Sequence, residues 1–236
     1  MKWEKGELLY EGKAKRVFAT QEPDYLIAEF KDSLTAFNGA MKAQLNHKGE
    51  WNNQISAHLM GVLEGCGIGT HFVELISPRE QVVKRLEMIP VEFICRNAVA
   101  GSLAKRTGIS EGTPLPTPVI EFNYKNDEMN DPLYVEDLIV ALGIASREEI
   151  ARIRTQGLKV NDCLGKFMDE RGIQLVDFKL EFGRFHDELL VGDEVTPDTC
   201  RFWDKKDQSK LDKDRFRRKL GNVAEAYQQI LDRVST

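Results

Sequence analysis

Apolar and polar positions alternate strictly from Leu175 to Gly183. Val176, Phe178, Leu180 and Phe182 fall on one face of a strand, and Asp177, Lys179 and Glu181 on the other. A second strand-like run, residues 188–195, follows across a segment (184–187) of hairpin-loop length. Antiparallel pairing would set Asp193 or Glu194 beside the acidic face of the first run. Residues 8–18 read as strand, tight turn at Gly12, and strand; 25–30 read as a further strand and 31–39 as a polar loop. Trp51, Ile55, Leu59 and Val62 recur at three-to-four spacing, which predicts a helix over 46–65 ended by Gly65 and Gly67. Strands are expected at 80–86 and 91–96, around a linker at 87–90.

Three prolines within 112–118 predict a stiff connector and place a boundary there. This divides the chain into a β-rich lobe (1–112) and an α+β lobe (113–236). Beyond a strand at 121–128 that runs into an acidic loop, a short helix is expected at 135–143. A longer one over 146–172 opens with a capping box, Ser146 and Glu149. Ile150, Ile153, Val160, Leu164 and Phe167 line its apolar stripe, which Gly157 and Gly165 interrupt. Residues 196–204 read as a loop with Arg201 beside aromatics. The last element is expected as one amphipathic helix over 212–234, with Phe216, Leu220, Val223, Tyr227 and Ile230 inward. Its start carries Arg215, Arg217, Arg218 and Lys219, a charge sign the helix dipole disfavours unless an anion sits there.

A chain of 236 residues, 42% hydrophobic and 30% charged, has the make-up of an ordinary soluble globular protein of one large or two modest domains. No run approaches the roughly 18 apolar residues of a membrane span, and residues 1–6 lack a signal-peptide core. Cys66, Cys95, Cys163 and Cys200 are far apart with no CxxC pair, which argues against zinc and fits free thiols in a reducing cytoplasm. A net charge of -5 provides no general drive toward nucleic acid, so any anion site must be local.

Such sites are visible. Lys13 and Lys15, two apart after Gly12, would point the same way toward a triphosphate, although the pattern is not the Walker motif. Arg96 at a strand end, with Ser102 opening a short helix, reads equally as a phosphate cradle or a capped surface helix. Asp177, Glu181 and Asp193 offer oxygens of the kind Mg²⁺ takes together with phosphate. Lys179, about 6 to 7 Å along the strand from each neighbouring carboxylate, would stay protonated and face developing negative charge. Arg96, Ser102, Arg201 and Arg217 make a second anion pocket. A nucleotide site beside a separate anion site points to ATP activating a second, anionic substrate, with the linker at 87–90 offering backbone to a base. The plainer alternative is a half-buried hairpin whose charges face water.

The runs Glu11-Gly12-Lys13-Ala14-Lys15, 91–97 with Gly101-Ser102-Leu103, 176–183 and 212–217 closely resemble, in this order, the SAICAR synthetase family in its compact bacterial form. The resemblance extends from about residue 8 to 231. It implies a two-lobed, ATP-grasp-like α+β fold and a ligase of purine synthesis. Such an enzyme uses ATP and Mg²⁺ to join L-aspartate to carboxyaminoimidazole ribonucleotide through an acyl phosphate. It further implies Lys13, Ala14, Lys15, Val17, Leu26, Met88 and Lys125 around ATP, and Glu181 and Asp193 on magnesium. Arg96, Ser102, Asp177, Lys179, Arg201 and Arg217 would hold the ribonucleotide, Lys179 and Asp177 being the catalytic pair. Position 38 departs from the family, with Asn38 where an acid is expected. A cytoplasmic homodimer is implied, with small-molecule partners and neither nucleic acid nor membrane. The rival reading is a small-molecule kinase with a similar ATP site.

Overall fold

In the computed structural model, residues 3–36 and 39–236 are described, so Phe37 and Asn38 lie outside the described residues. Two antiparallel sheets organise the chain, and it passes from one to the other at residues 85–86. The first sheet holds β1 (Leu8–Glu11), β2 (Lys15–Ala19) and β3 (Tyr25–Phe30). β4 (Ser33–Ala36) and β5 (Met41–Gln44) then pair as a separate hairpin, and α1 (Lys48–Gly65) leads back to β6 (Phe72–Ser77) and β7 (Glu80–Lys84). The strand order is β1-β2-β3-β7-β6. The second sheet begins with β8 (Glu87–Ala98), followed by α2 (Gly101–Thr107), β9 (Pro114–Tyr124), β10 (Leu133–Tyr134), α3 (Glu136–Ala141) and α4 (Arg147–Asp169). β11 (Ile173–Phe185), β12 (Glu188–Gly192), β13 (Cys200–Asp204), α5 (Asp214–Arg217) and α6 (Val223–Val234) complete the chain. Its order is β10-β9-β8-β11-β12, with β13 also on β11. The fold is therefore mixed α+β.

Several elements differ from the sequence pattern for identifiable reasons. Residues 87–90 are not a linker but the first turn-free part of β8, where Met88 pairs with Gly183. The proline-rich run 112–118 enters β9 and pairs with β8. β10 covers β9 only at Phe122 and Asn123, so the prolines lie on an open edge where a missing N–H is tolerated. Part of the expected loop 31–39 is β4, and the loop expected at 196–204 contains β13. The expected helix over 212–234 is broken between α5 and α6, where Lys219, Gly221 and Asn222 all take left-handed backbone. Leu220 is consequently exposed and Phe216 only half-buried, while Tyr227 and Ile230 are buried as expected.

The main core lies between the second sheet and the helices. Ile55 and Leu59 of α1 and Ile153, Val160 and Leu164 of α4 close over Phe93, Phe178, Leu180 and Phe182. Phe93 stands edge-on to Phe122 and Phe182. Gly157 of α4 is where the Phe93 ring lies, and a Cβ there would overlap it. Val176 does not share the face of Phe178. A register shift between Leu175 and Asp177 against β13 turns it into a small cluster with Ala98, Ala100 and Trp203. Cys66 and Cys163 are joined by a disulfide between α1 and α4, correcting the expectation of four free thiols; Cys95 and Cys200 are free and buried. Sequence spacing could not reveal that contact, because the pair is 97 residues apart. No described helix is long and apolar enough to cross a membrane.

Candidate active site

The charged face of β11 is not solvated. Asp177 and Glu181 are only 4% and 5% exposed, which rules out the water-facing hairpin, and burial of this kind demands partners. For Lys179 the partner is Glu92 of β8, whose Oε1 lies 2.6 Å from the amine, with Glu181 at 3.8 Å. β8 and β11 pair with Glu92 opposite Glu181, which brings the three groups together. Burial alone would lower the Lys179 pKa, but Glu92, Glu181 and Asp193 drive it above the ordinary lysine value. Glu181 behaves oppositely: burial, then Asp193, push its carboxyl up against the pull of Lys179 and Lys125.

Lys15 reaches this cluster from the first sheet. Its amine pairs with Asp193 and lies 3.2 Å from Glu194 Oε2. Against its burial, Lys15 and then Lys179 hold the Asp193 carboxyl well below the usual range. Lys125, just past β9, pairs with Glu181. Three ammonium groups and four carboxylates from both sheets thus meet in one place, built by β2, β8, the β9 end, β11 and the residues after β12.

Arginines form a second, adjoining group. Arg96 donates to Glu121 Oε2 at 2.9 Å, to Asp177 Oδ2 at 3.1 Å and to Ser102 Oγ at 3.0 Å. Arg201 donates to both Asp177 oxygens and, through Nε, to Asp214 Oδ2 at 2.9 Å. Arg217 joins Asp214 Oδ1 at 2.6 Å. Both oxygens of Asp177 are therefore occupied by guanidinium groups. Gly101, with φ +52, lies against the Arg201 guanidinium, where any Cβ would collide; that position requires glycine twice over. A cleft of about 630 Å³ is lined by Arg96, Ser102, Asp177, Lys179, Arg201 and Arg217 together. An adjoining cleft of about 700 Å³ under the β4–β5 hairpin shares Lys13 with it. Ala14, Lys15, Val17, Leu26, Met88, Lys125, Glu181 and Asp193 line neither cleft. Ala14 accepts a backbone bond from Lys31, Leu26 packs on Ala28, Phe30 and Val83, and Met88 lies over Gly183 and Gly192.

Sequence reading missed the acids that hold these cations. Glu92 is 87 positions from Lys179 and Glu121 is 25 from Arg96, while Asp214, three residues before Arg217, is marked out only by its burial. It also missed a buried set at the cleft wall, where Asp198 accepts from Tyr227 Oη at 2.6 Å and pairs with Lys48 at 2.6 Å.

Comparison with known proteins matches the SAICAR synthetase family model to residues 8–234. The chain belongs to the SAICAR synthetase family. It is 54% identical over 232 residues to the phosphoribosylaminoimidazole-succinocarboxamide synthase of Deinococcus deserti, covering 98% of each protein. The crystal structure of the synthase from Ehrlichia chaffeensis superposes with a TM-score of 0.95 at 45% identity, over 97% of this chain and 98% of that one. A SAICAR synthetase in complex with ADP superposes with a TM-score of 0.93 at 46% identity, over 97% of each. Members of this family are carbon–nitrogen ligases, and this chain is accordingly an ATP-dependent ligase of de novo purine biosynthesis. It condenses carboxyaminoimidazole ribonucleotide with L-aspartate, releasing ADP and phosphate.

Magnesium was expected on Glu181 and Asp193. Among the described residues no cluster of three or more His, Cys, Asp or Glu side chains is arranged to hold a metal. The donor set nevertheless fits this ion. Glu181 stands opposite Gly192, the residue before Asp193, across the β11–β12 pair; the two carboxylates offer only oxygens, and Mg²⁺ is commonly held by one or two carboxylates plus substrate phosphates.

Proposed function

We propose that the charged cluster between the sheets receives the ATP phosphates and that the arginine cleft receives the ribonucleotide. The observation that carries this reading is the junction itself: Lys15 of the first sheet and Lys179 of the second converge on one set of buried carboxylates. In this reading Lys13, Lys15 and Lys125 neutralise phosphate oxygens, while Ala14, Val17, Leu26 and the backbone near Met88 enclose the base. Glu181 and Asp193 would hold magnesium, which would supply positive charge against the phosphate oxygens. The arriving nucleotide takes over the lysines that now satisfy those acids.

The ribonucleotide phosphate then meets Arg96, Ser102, Arg201 and Arg217. Asp177 acts by orienting Arg96 and Arg201 from below, since both of its oxygens already accept from them. Such buried, charge-assisted bonds hold the two guanidinium planes in place for a phosphate. With the phosphate there, Lys179 faces the imidazole end. The substrate carboxylate attacks the γ-phosphate to give an acyl phosphate and ADP. The aspartate amine then adds to the acyl carbon and expels phosphate, losing its proton. Protonated Lys179 stabilises the negative charge that develops on the transferring oxygens, and the rest is positioning. We place this activity in the cytoplasm and in a homodimer.

The test is ADP release from ATP and Mg²⁺ with the ribonucleotide, with and without L-aspartate, the succinyl product being followed by mass. Full turnover should require all three substrates. Rapid, stoichiometry-free ADP release with neither co-substrate present would overturn the site assignment.

A further inference from the structure

Lys213 and Asp131 both line the cleft of about 630 Å³ and have no part in the chemistry described above. Lys213 immediately precedes α5, and its N–H donates to the Pro197 carbonyl at 3.1 Å, which places it beside Asp198. Asp198 Oδ2 lies 3.9 Å from its amine, and among the described residues no other carboxylate comes within 4 Å. That carboxylate is already satisfied. The buried Lys48 pairs with the same oxygen at 2.6 Å, and the Tyr227 hydroxyl donates to Oδ1 at 2.6 Å. The neighbouring acids are also taken, Glu194 by Lys15 and Asp214 by Arg201 and Arg217. Two ammonium groups therefore share one carboxylate, and a positive charge is left over at the cleft wall. The Lys213 side chain is only 15% exposed, and an ammonium so far withdrawn from water calls for an anion. Burial lowers its pKa despite Asp198, and Lys48 and Arg217 add to the fall.

Asp131 is the converse case. The other acids of the cleft, Glu92, Asp177 and Asp198, each hold a cation. Asp131 pairs with no cation within 4 Å among the described residues. Its Oδ1 accepts from the Asn126 N–H at 2.9 Å, and its own N–H donates to the Asn126 carbonyl at 3.0 Å. The loop between β9 and β10 is thereby closed, with this carboxylate on the cleft wall.

We propose that Lys213 and Asp131 are the two ends of the L-aspartate site, Lys213 holding a carboxylate of that substrate and Asp131 its ammonium. An amino acid needs a cation and an anion together. These two are the cleft residues whose charges are not already met by the protein. The inference rests on the placement of the ribonucleotide phosphate with Arg96, Ser102, Arg201 and Arg217, which leaves Lys213 for the second substrate. L-aspartate then enters the cleft that Lys179 also lines, where the acyl phosphate forms.

The test is steady-state kinetics with each substrate varied in turn, for the wild type, Lys213→Gln, Lys213→Arg, Asp131→Asn and Arg217→Gln, with thermal melting of each. Lys213→Gln and Asp131→Asn should each raise the KM for L-aspartate about 10- to 100-fold. Their KM values for ATP and the ribonucleotide should stay within about twofold. Lys213→Arg keeps the charge and should recover most of the loss. The Lys213 variants should melt close to the wild type, because Asp198 retains Lys48 and Tyr227. An unchanged KM for L-aspartate would overturn the proposal, as would an equal rise in the KM for the ribonucleotide. Failure of both Lys213 variants to fold would also overturn it, by making the role structural. Arg217→Gln should raise the KM for the ribonucleotide alone. If it raises that for L-aspartate instead, the placement of the ribonucleotide falls. If it behaves as expected while Lys213→Gln leaves the KM for L-aspartate unchanged, only the Lys213 assignment falls.

Discussion

At the scale of single residues, the site consists of charges that hold one another until substrate arrives, and chemistry and stability are therefore entangled in the same side chains. Lys179 shows this most clearly. Because it sits on Glu92, which is 9% exposed, Lys179→Ala removes a catalytic cation and also strands a carboxylate. We expect turnover to fall by about 10²- to 10³-fold and stability by about 1–3 kcal/mol. Adding Glu92→Gln should restore most of the stability, read by urea denaturation, and none of the turnover. Recovery of both would show that Lys179 serves the fold alone. Asp214 gives a separate pH signature. Against its burial, Arg201 and Arg217 hold its carboxyl down at about 2, from an ordinary 3.8. A depressed acid adds stability above its unfolded pKa and loses it as pH falls through the folded one. About 2 kcal/mol should disappear between roughly pH 4 and pH 2. Circular dichroism of Asp214→Asn should show lower stability at neutral pH and a flatter acid limb through that window.

At the scale of elements, two glycines in α4 make opposite predictions. Gly157→Ala gains helix propensity but drives its methyl into the Phe93 ring, so a net loss of about 1–3 kcal/mol is expected. Gly165 has nothing within 4 Å of a built Cβ, and Gly165→Ala should gain about 0.5–1 kcal/mol. Denaturant midpoints moving in the same direction for both would contradict the packing described. Periodicity made α1, α4 and the β11–β12 hairpin legible, because each buries a regular stripe and the Ser146 cap closes as its spacing demands. It failed where tertiary contacts decide. The run 112–118 looks like a connector until an open sheet edge makes prolines admissible, and Pro90 is admitted where the β8–β11 register shifts between Glu181 and Gly183. The α5–α6 break turns on left-handed Lys219 and Asn222 around Gly221, which an apolar stripe conceals. The motif cations could be named from the sequence, but their acids could not: Glu92 is 87 positions from Lys179. Only the β8–β11 register unites them.

At the scale of the whole molecule, the cleft and the Cys66–Cys163 disulfide lie at opposite ends of α1. Lys48 begins that helix and pairs with Asp198 at the cleft wall. Cys66 caps its far end, about 27 Å away for 18 residues at a rise of about 1.5 Å. The bond ties α1 to α4 across a loop of 97 residues, and closing a loop of that length stabilises a fold by about 4.7 kcal/mol, chiefly by restricting the unfolded chain. A constraint on the unfolded state, placed a helix length from the chemistry, should change stability and leave turnover alone. Protein purified without reductant and then unfolded should titrate two thiols, Cys95 and Cys200, and four after reduction. Reduction, or Cys163→Ser, should lower the melting temperature while kcat and the KM for each substrate stay within about twofold. A large change in kcat at a temperature where both forms are fully folded would mean that the α1–α4 contact reaches the cleft through Lys48. In that case Lys48→Met should reproduce the change with the disulfide intact.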